Sequence, residues 1–144
     1  MENSLLNMTL EEIENDYWHE EVFPTALVEK CHLARKKKLK DLEAGDVRLL
    51  IGQNISLPYL VPLAAKWLEN DILTDATFYP GDLLVSVLRV PGAFWKENLA
   101  LWNMYNDLYR NFRQHIMQSV GMTNEIRRYI LDGYQIFSEA CEPS

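Results

Sequence analysis

Apolar residues recur at intervals of three and four along most of the chain, which is the spacing of amphipathic helices. The clearest example runs over residues 93–118, where neither proline nor glycine interrupts the pattern. The apolar and aromatic residues on one face of this stretch are Trp95, Leu99, Trp102, Tyr105, Tyr109, Phe112 and Ile116. This stripe predicts the longest helix of the protein, with about six or seven turns.

Two helices are predicted in the N-terminal part of the chain. Thr9 and Glu12 have the spacing of a capping box, in which each side chain satisfies a free amide at a helix start, and this helix is predicted to run to about Trp18. A second helix is predicted to begin at Pro24-Thr25. Its buried face is predicted to carry Leu27, Val28, Cys31 and Ala34.

Glycines and prolines set the predicted helix boundaries in the middle of the chain. A short third helix is predicted to start at Asp46 and to end at Gly52-Gln53-Asn54. Pro62 lacks an amide hydrogen and crowds the preceding turn of a helix. We therefore predict either a turn or a kinked first helical turn over residues 58–61, and a regular helix from Pro62 to about Glu69.

The heptapeptide FYPGDLL, residues 78–84, separates a predicted loop over residues 70–77 from another short helix. Pro80 presets the backbone for a turn, Gly81 permits unusual backbone angles, and Asp82 is placed to cap helix amides. The heptapeptide is therefore predicted to be a hinge in the fold.

The rest of the chain completes an all-α prediction. Gly121 ends the long helix, and Thr123 can cap a last one. The inner face of this last helix is predicted to carry Ile126, Ile130, Tyr134, Phe137 and Cys141. No stretch alternates polar and apolar residues between turn signals, so strands are not expected. We predict one domain over residues 1–144, a compact bundle of short helices followed by one long and one terminal helix.

Composition narrows the classes of partner. Of the 144 residues 48% are hydrophobic, which is enough for one domain with a substantial core. The formal net charge of -7 argues against direct binding of nucleic acid, because that binding depends on Lys and Arg contacts with phosphates. An acidic protein is better suited to a basic partner.

No apolar run approaches the roughly 18 residues that a membrane span needs, and the N-terminus lacks the pattern of a signal peptide. We therefore expect a cytoplasmic protein that does not contact the membrane. Cys31 and Cys141 lack metal-ligand spacing and are expected to be free thiols.

Catalytic constellations are not found in the sequence. His19, His32 and His115 each lack a second ligand at useful spacing, and neither a phosphate-binding loop nor a nucleophile elbow occurs. Cys31 and His32 are neighbours on a helix, about 100° apart, and do not face one another. Asp82 has no base, metal or second acid beside it in its motif. We expect neither enzyme activity nor a cofactor or metal.

Acidic residues are concentrated in the segment of residues 11–21, which also contains Tyr17 and Trp18. This segment is either a solvated surface with both aromatic rings in the core, or an anionic docking surface with an aromatic anchor. The basic run at residues 35–40, with Arg48, supports an alternative, a small helical nucleic-acid-binding regulator. A third hypothesis, a small helical hydrolase, would need converging Asp and Glu side chains that the spacing does not suggest.

A resemblance to a known family is carried by several blocks in order. They are LEEIENDYW from Leu10, the helix end from Cys31 to Lys40, VRLLIGQNI from Val47, YLVPLA from Tyr59, FYPGDLL from Phe78, and LRVP from Leu88 with Phe94-Trp95. Over roughly residues 10–95 the chain resembles the small immunity proteins of bacterial contact-dependent growth inhibition systems. Residues 96–144 form a helical extension beyond that pattern.

The resemblance implies a cytoplasmic antidote that binds the C-terminal toxin domain of its own system's surface-displayed protein. Many such toxin domains are nucleases with basic clefts, which an acidic antidote would fit. The family supplies no contact residues, so we predict them from the acidic segment and the acidic loop. The predicted protein-binding residues are Glu12, Asp16, Trp18, Glu20, Glu21, Asp71, Asp75, Tyr79 and Asp82. One sequence leaves open whether the aromatic stripe packs within the monomer or against a second copy.

Overall fold

The computed structural model describes residues 3–19 and 23–141, and these residues form nine α-helices and one 3-10 turn, with no strand. The predicted all-α fold is confirmed. The helices are α1 (Asn3–Leu6), α2 (Leu10–Glu14), α3 (Ala26–Arg35), α4 (Ala44–Gly52), α5 (Leu57–Leu68), α6 (Asp82–Leu88), α7 (Gly92–Glu97), α8 (Leu99–Gln118) and α9 (Asn124–Glu139), and the 3-10 turn covers Leu39–Asp41. Among these helices, none is long and apolar enough to span a bilayer.

Helix α6 lies at the centre of the packing, in contact with α4, α5 and α9. The predicted inner residues of this helix, Leu83, Leu84, Val87 and Leu88, are buried. Full burial of each such side chain stabilises the fold by about 1.5–3 kcal/mol. The hydrophobic core is therefore organised around this one short helix.

Three predicted helix starts are confirmed by capping hydrogen bonds. The Thr9 hydroxyl accepts from the N–H of Glu12 at 3.1 Å, and the N–H of Thr9 donates to the Glu12 carboxylate at 3.1 Å. Thr25 and Thr123 cap α3 and α9, each accepting at 3.2 Å from the N–H three residues further on. Such a cap contributes about 1 kcal/mol.

Helix α4 begins at Ala44, slightly before the predicted start at Asp46. Asp46 still caps the helix, because its Oδ2 accepts from the N–H of Glu43 at 2.9 Å. The N-cap residue is Glu43, so the prediction that the helix starts at Asp46 is wrong, and Asp46 contributes from the first turn as the second residue of a capping box.

Helix α2 ends at Glu14, so the prediction that it reaches Trp18 is wrong. Asn15 takes a left-handed conformation, with φ 50° and ψ 47°, and its N–H donates to the carbonyls of the last turn. Asparagine tolerates this conformation better than most residues, and it closes the helix there. Trp18 consequently lies in an irregular segment instead of on a helix face.

Helix α5 begins at Leu57, so of the two predicted alternatives for residues 58–61 the separate turn is wrong and a first helical turn is found. Pro58 lies in the first turn, where an N–H would have no partner within the helix. Pro62 lies inside the helix, at a cost of about 3 kcal/mol. The burial of the rest of the face outweighs that cost. The buried residues are Leu57, Leu60, Val61, Leu63, Ala64, Ala65 and Leu68.

The single long helix predicted over residues 93–118 is in fact two helices, α7 and α8, with a break at Asn98. Asn98 has φ −135° and ψ 55°, and its Nδ2 donates to the carbonyl of Phe94 at 2.8 Å. Because the break changes the phase of the helix, Leu99 does not continue the face of Trp95 and is 53% exposed.

Aromatic rings of α7, α8 and α9 pack against one another inside the protein. Trp95 meets Phe137 edge-on, with 5.1 Å between ring centroids, and Tyr105 at 6.0 Å. Tyr109 stacks on Tyr134 at 3.8 Å. The Tyr105 hydroxyl donates to a backbone carbonyl of α5. The central part of the predicted stripe therefore packs within the monomer.

The turn before α6 has the unusual backbone that its sequence predicts. Gly81 has a φ of 93°, in the region that favours glycine. A Cβ atom at Gly81 would lie 2.9 Å from Cδ1 of Ile130 on α9. The glycine thus permits both the turn and the close approach of α9.

Asp82 holds the loop that precedes α6, which corrects the predicted role as a cap of helix amides. Its carboxylate is buried and accepts from the N–H groups of Ala76 at 2.7 Å, Thr77 at 2.9 Å and Phe78 at 2.8 Å. Nε of Arg48 lies 3.9 Å from Oδ2. A buried charge is tolerated only when it is hydrogen-bonded and paired in this way.

Replacing Asp82 by asparagine should lower the free energy of unfolding by about 2–4 kcal/mol, because one acceptor oxygen becomes an amide that faces N–H donors. The control is Asp75→Asn, which makes the same chemical change on an exposed side chain of the same loop. It should shift stability by less than about 0.5 kcal/mol. Urea denaturation of both variants measures the difference, and equal stabilities would contradict the role of Asp82.

Candidate functional site

Arg35 of α3 fastens the N-terminal acidic segment to the body of the protein. Its side chain is buried, and Nη2 donates to Oε1 of Glu14 at 3.2 Å and to the carbonyl of Asp16 at 2.9 Å. Oε1 of Glu14 also accepts from the hydroxyl of Ser56 at 2.7 Å. The guanidinium lies 4.3 Å from the centre of the Trp18 ring, a favourable cation–π contact. The described part of the segment is therefore held in place as far as Trp18, although helix α2 ends at Glu14.

The predicted contact residues of this segment differ in exposure and in whether their side chains are engaged within the protein. Glu12 is exposed, but its carboxylate serves the capping box of α2. Asp16 has a side chain that is 67% exposed. Trp18 is half-buried. Glu20 and Glu21 lie outside the described residues. Arg35 thus brings an exposed carboxylate and an aromatic ring together, Asp16 with Trp18.

Three of the other four predicted contact residues lie in the loop before α6, and the fourth, Asp82, is the first residue of that helix. Asp71 and Asp75 are exposed, and Asp71 accepts from a backbone N–H two residues further on at 3.0 Å. Tyr79 is half-buried, and its phenol pKa is raised by burial first and then by Tyr129 and Asp82. The hydroxyl therefore stays protonated at neutral pH. Asp82 is buried and supports the loop from within.

A groove between α3, α4 and residues 76–78 exposes apolar side chains that sequence analysis did not identify as a surface. We call it the α3–α4 groove, and its volume is about 700 Å³. Leu27 is 41% exposed, Leu33 is 54% exposed and Phe78 is 71% exposed. The predicted burial of Leu27 is therefore wrong. The only signal of this groove in the sequence is that α3 has leucines on more than one face.

The basic run and Arg48 do not present one exposed cationic strip. Arg35 is only 1% exposed. Nε of Arg48 donates to the hydroxyl of Thr77 at 3.0 Å, and Nζ of Lys37 pairs with Asp46 at 3.0 Å. Three of the cations on which nucleic-acid binding would depend are thus engaged within the fold.

Cys31 and His32 are buried, whereas the other two histidines are exposed. Within residues 3–19 and 23–141, no cluster of His, Cys, Asp or Glu could hold a metal ion. Cys31 and Cys141 are unpaired thiols, and burial raises the pKa of the Cys31 thiol, which disfavours the reactive thiolate. The ring of His32 packs 4.7 Å from that of Phe23 and 5.9 Å from that of Trp18. The features that stand out in the described residues are two exposed surfaces, the acidic segment and the α3–α4 groove.

Replacing Arg35 by methionine should loosen the acidic segment while keeping much of the apolar packing. We expect the amides of residues 10–16 to exchange at least about tenfold faster, equivalent to about 1.4 kcal/mol of local stability. Amides of α9 should be unaffected. The matched control is Lys36→Met, at the exposed neighbouring position. Hydrogen exchange read by mass spectrometry makes the comparison, and identical exchange in the two variants would remove the role given to Arg35.

Comparison with known proteins places this sequence in a family. The sequence model of the family described as CDI immunity proteins, where CDI stands for contact-dependent growth inhibition, matches residues 12–104. No curated protein and no solved structure matches the chain significantly. The match covers more than half of the chain and agrees with the resemblance carried by residues 10–95. The chain therefore belongs to the CDI immunity proteins, which neutralise the toxins of contact-dependent growth inhibition.

Proposed function

We propose that this protein acts in the cytoplasm of the producing cell, where it binds the C-terminal toxin domain of its own system directly and blocks it without catalysis. The observation that carries the proposal is the acidic segment held on Arg35, with exposed Asp16 beside half-buried Trp18. A carboxylate and a ring in fixed positions suit an interface, because binding then costs little conformational freedom.

A nuclease is the toxin activity that fits the charge of this protein best. Nucleases carry basic clefts for polyanionic substrates, whereas this chain has a net charge of -7. Charge complementarity of this kind raises association rates by about 10–1,000-fold. In this proposal Asp16, Glu20 and Glu21 provide the main acidic contact, and Asp71 and Asp75 extend it along the loop. The bound antidote covers the cleft or clamps beside it.

The remaining predicted contact residues anchor or support this surface. Trp18 supplies a half-buried ring whose outer edge meets the toxin. Glu12 keeps the start of α2 in place through its capping bond. Tyr79 offers a protonated hydroxyl as a hydrogen-bond donor. Asp82 positions the loop without touching the toxin, since it is 4% exposed.

The toxin domain encoded immediately upstream of the gene should bind the wild-type protein with a Kd of about 1 nM or tighter, as for other inhibitors with dedicated partners. Calorimetry measures the affinity, and an activity assay of the toxin measures neutralisation. A toxin domain from an unrelated CDI system is the control and should not bind. A folded, helical protein that neither binds nor inhibits its neighbour would contradict the proposal.

Reversing the charge of side chains in the acidic segment should slow binding of the toxin domain without unfolding the protein. The triple variant Asp16→Lys, Glu20→Lys and Glu21→Lys keeps Glu12, because Glu12 caps α2. We expect association at low salt to be at least about tenfold slower, with a weaker salt dependence.

The control for this variant makes the same change in net charge at exposed acids elsewhere, Glu97→Lys, Asp107→Lys and Asp132→Lys. It should retain most of the wild-type association rate. Stopped-flow or surface-based kinetics over a range of salt concentrations compares the two triples. Equal slowing in both would mean that net charge alone matters, and that the acidic segment is not the contact.

A further inference from the structure

The α3–α4 groove exposes apolar side chains to solvent, with charged side chains between them. Leu27 and Leu33 of α3 lie along it, with Leu49 of α4 and Phe78 of the loop. Apolar side chains that are clustered and exposed are unfavourable in water unless a partner covers them. Every one of these residues lies within the stretch of residues 12–104 that matches the family.

Phe78 is held in a fixed position at the edge of this groove. Its N–H donates to the buried carboxylate of Asp82 at 2.8 Å, and its ring centre lies 4.7 Å from the guanidinium of Arg48. Arg48 is itself fixed, since its Nε donates to the hydroxyl of Thr77 at 3.0 Å. An exposed ring that is already immobilised loses little entropy on binding and makes a strong anchor.

The charges around the groove point to a protein partner. Lys37 is paired with Asp46 at 3.0 Å, and Arg48 is held beneath Phe78, so neither is free for a phosphate. Glu43 also lines the groove and would repel a polyanion. Lys30, on α3 among the exposed leucines, has no ion-pair partner within the described part of the chain. Among the described residues that line the groove, Lys30 is therefore the cation without an ion-pair partner, and it lies beside exposed apolar side chains.

We propose that the α3–α4 groove binds an apolar segment of the toxin domain that carries a carboxylate opposite Lys30. This inference rests on the proposed function and adds the chemistry of the partner segment. It gives the protein two contacts with the same toxin that share α3. Arg35 holds the acidic segment from one side of this helix, and Leu33 lines the groove from another.

The two contacts should have different kinetic roles. The acidic segment acts at long range and sets the association rate and its salt dependence. The groove acts only once the surfaces touch, so it sets the rate of release. Variants in the groove should therefore change dissociation and leave association nearly unchanged.

The test of the apolar contact is the release rate of the upstream toxin domain from two variants, Phe78→Ala and Leu33→Asp. Release should be at least about tenfold faster for each, with association within about twofold of the wild type. Leu99→Asp is the matched control, because Leu99 is 53% exposed and Leu33 is 54% exposed. It should release toxin at the wild-type rate. Thermal unfolding verifies that all variants are folded.

The proposed carboxylate of the toxin segment is tested by reversing the charge of single lysines of this protein. Lys30→Glu should speed release by about fivefold or more, whereas Lys40→Glu, at an exposed position on the 3-10 turn outside the groove, should not. Equal release rates for the two variants would contradict the proposed carboxylate opposite Lys30. Since neither substitution alters the core, this comparison remains informative if an apolar variant is unstable.

The outcomes separate the groove from the antidote function. Tight wild-type binding with unchanged release from the groove variants would overturn the groove and leave the proposed function standing. Absence of wild-type binding would overturn the proposed function itself. A free protein that dimerises in sedimentation experiments, and whose dimer is broken by Phe78→Ala, would identify a second copy as the occupant and overturn the inference.

Discussion

The buried carboxylate of Asp82 connects the core of this protein to the surface that we assign to partner binding. It lies at the first residue of α6, the helix that contacts α4, α5 and α9. Water cannot solvate the charge there, so its energy depends on the three N–H groups of residues 76–78 and on Arg48. Because these N–H groups donate to the carboxylate, the loop is fixed and the side chain of Phe78 is exposed. One electrostatic constraint thus sets both the core and one edge of the groove.

Local signals in the sequence were sufficient for many helix starts and insufficient for several helix ends. Thr9, Thr25 and Thr123 cap helices because their hydroxyls reach amides within the same turn. By contrast, the proline-containing helix α5 depends on the burial of its apolar face, and neither glycine nor proline marks the break at Asn98. Pro62 is accepted because the helix buries a wide apolar face. Sequence spacing within one segment does not contain that information.

The candidate surface was predictable in its charge and not in its shape. The acidic segment follows directly from residues 11–21, whereas its attachment through buried Arg35 reverses the usual expectation that arginine is exposed. The groove was missed because Leu27 has the spacing of a buried residue but is 41% exposed in the part of the chain that the structure describes. Asp82 is predicted as a contact residue, but its side chain is buried and holds the loop through three N–H groups. In each case the burial or exposure of the side chain is a property of the whole fold and not of the local sequence.

The toxin contact is tested most directly by hydrogen exchange of the protein alone and in complex with the upstream toxin domain. Binding should slow exchange in residues 10–18, in α3 and in residues 76–80, and leave α9 unchanged. Protection confined to α8 and α9, with none in α3 or the loop before α6, would contradict it. That result would move the toxin contact to the C-terminal helices and leave the acidic segment and the groove without the role assigned to them.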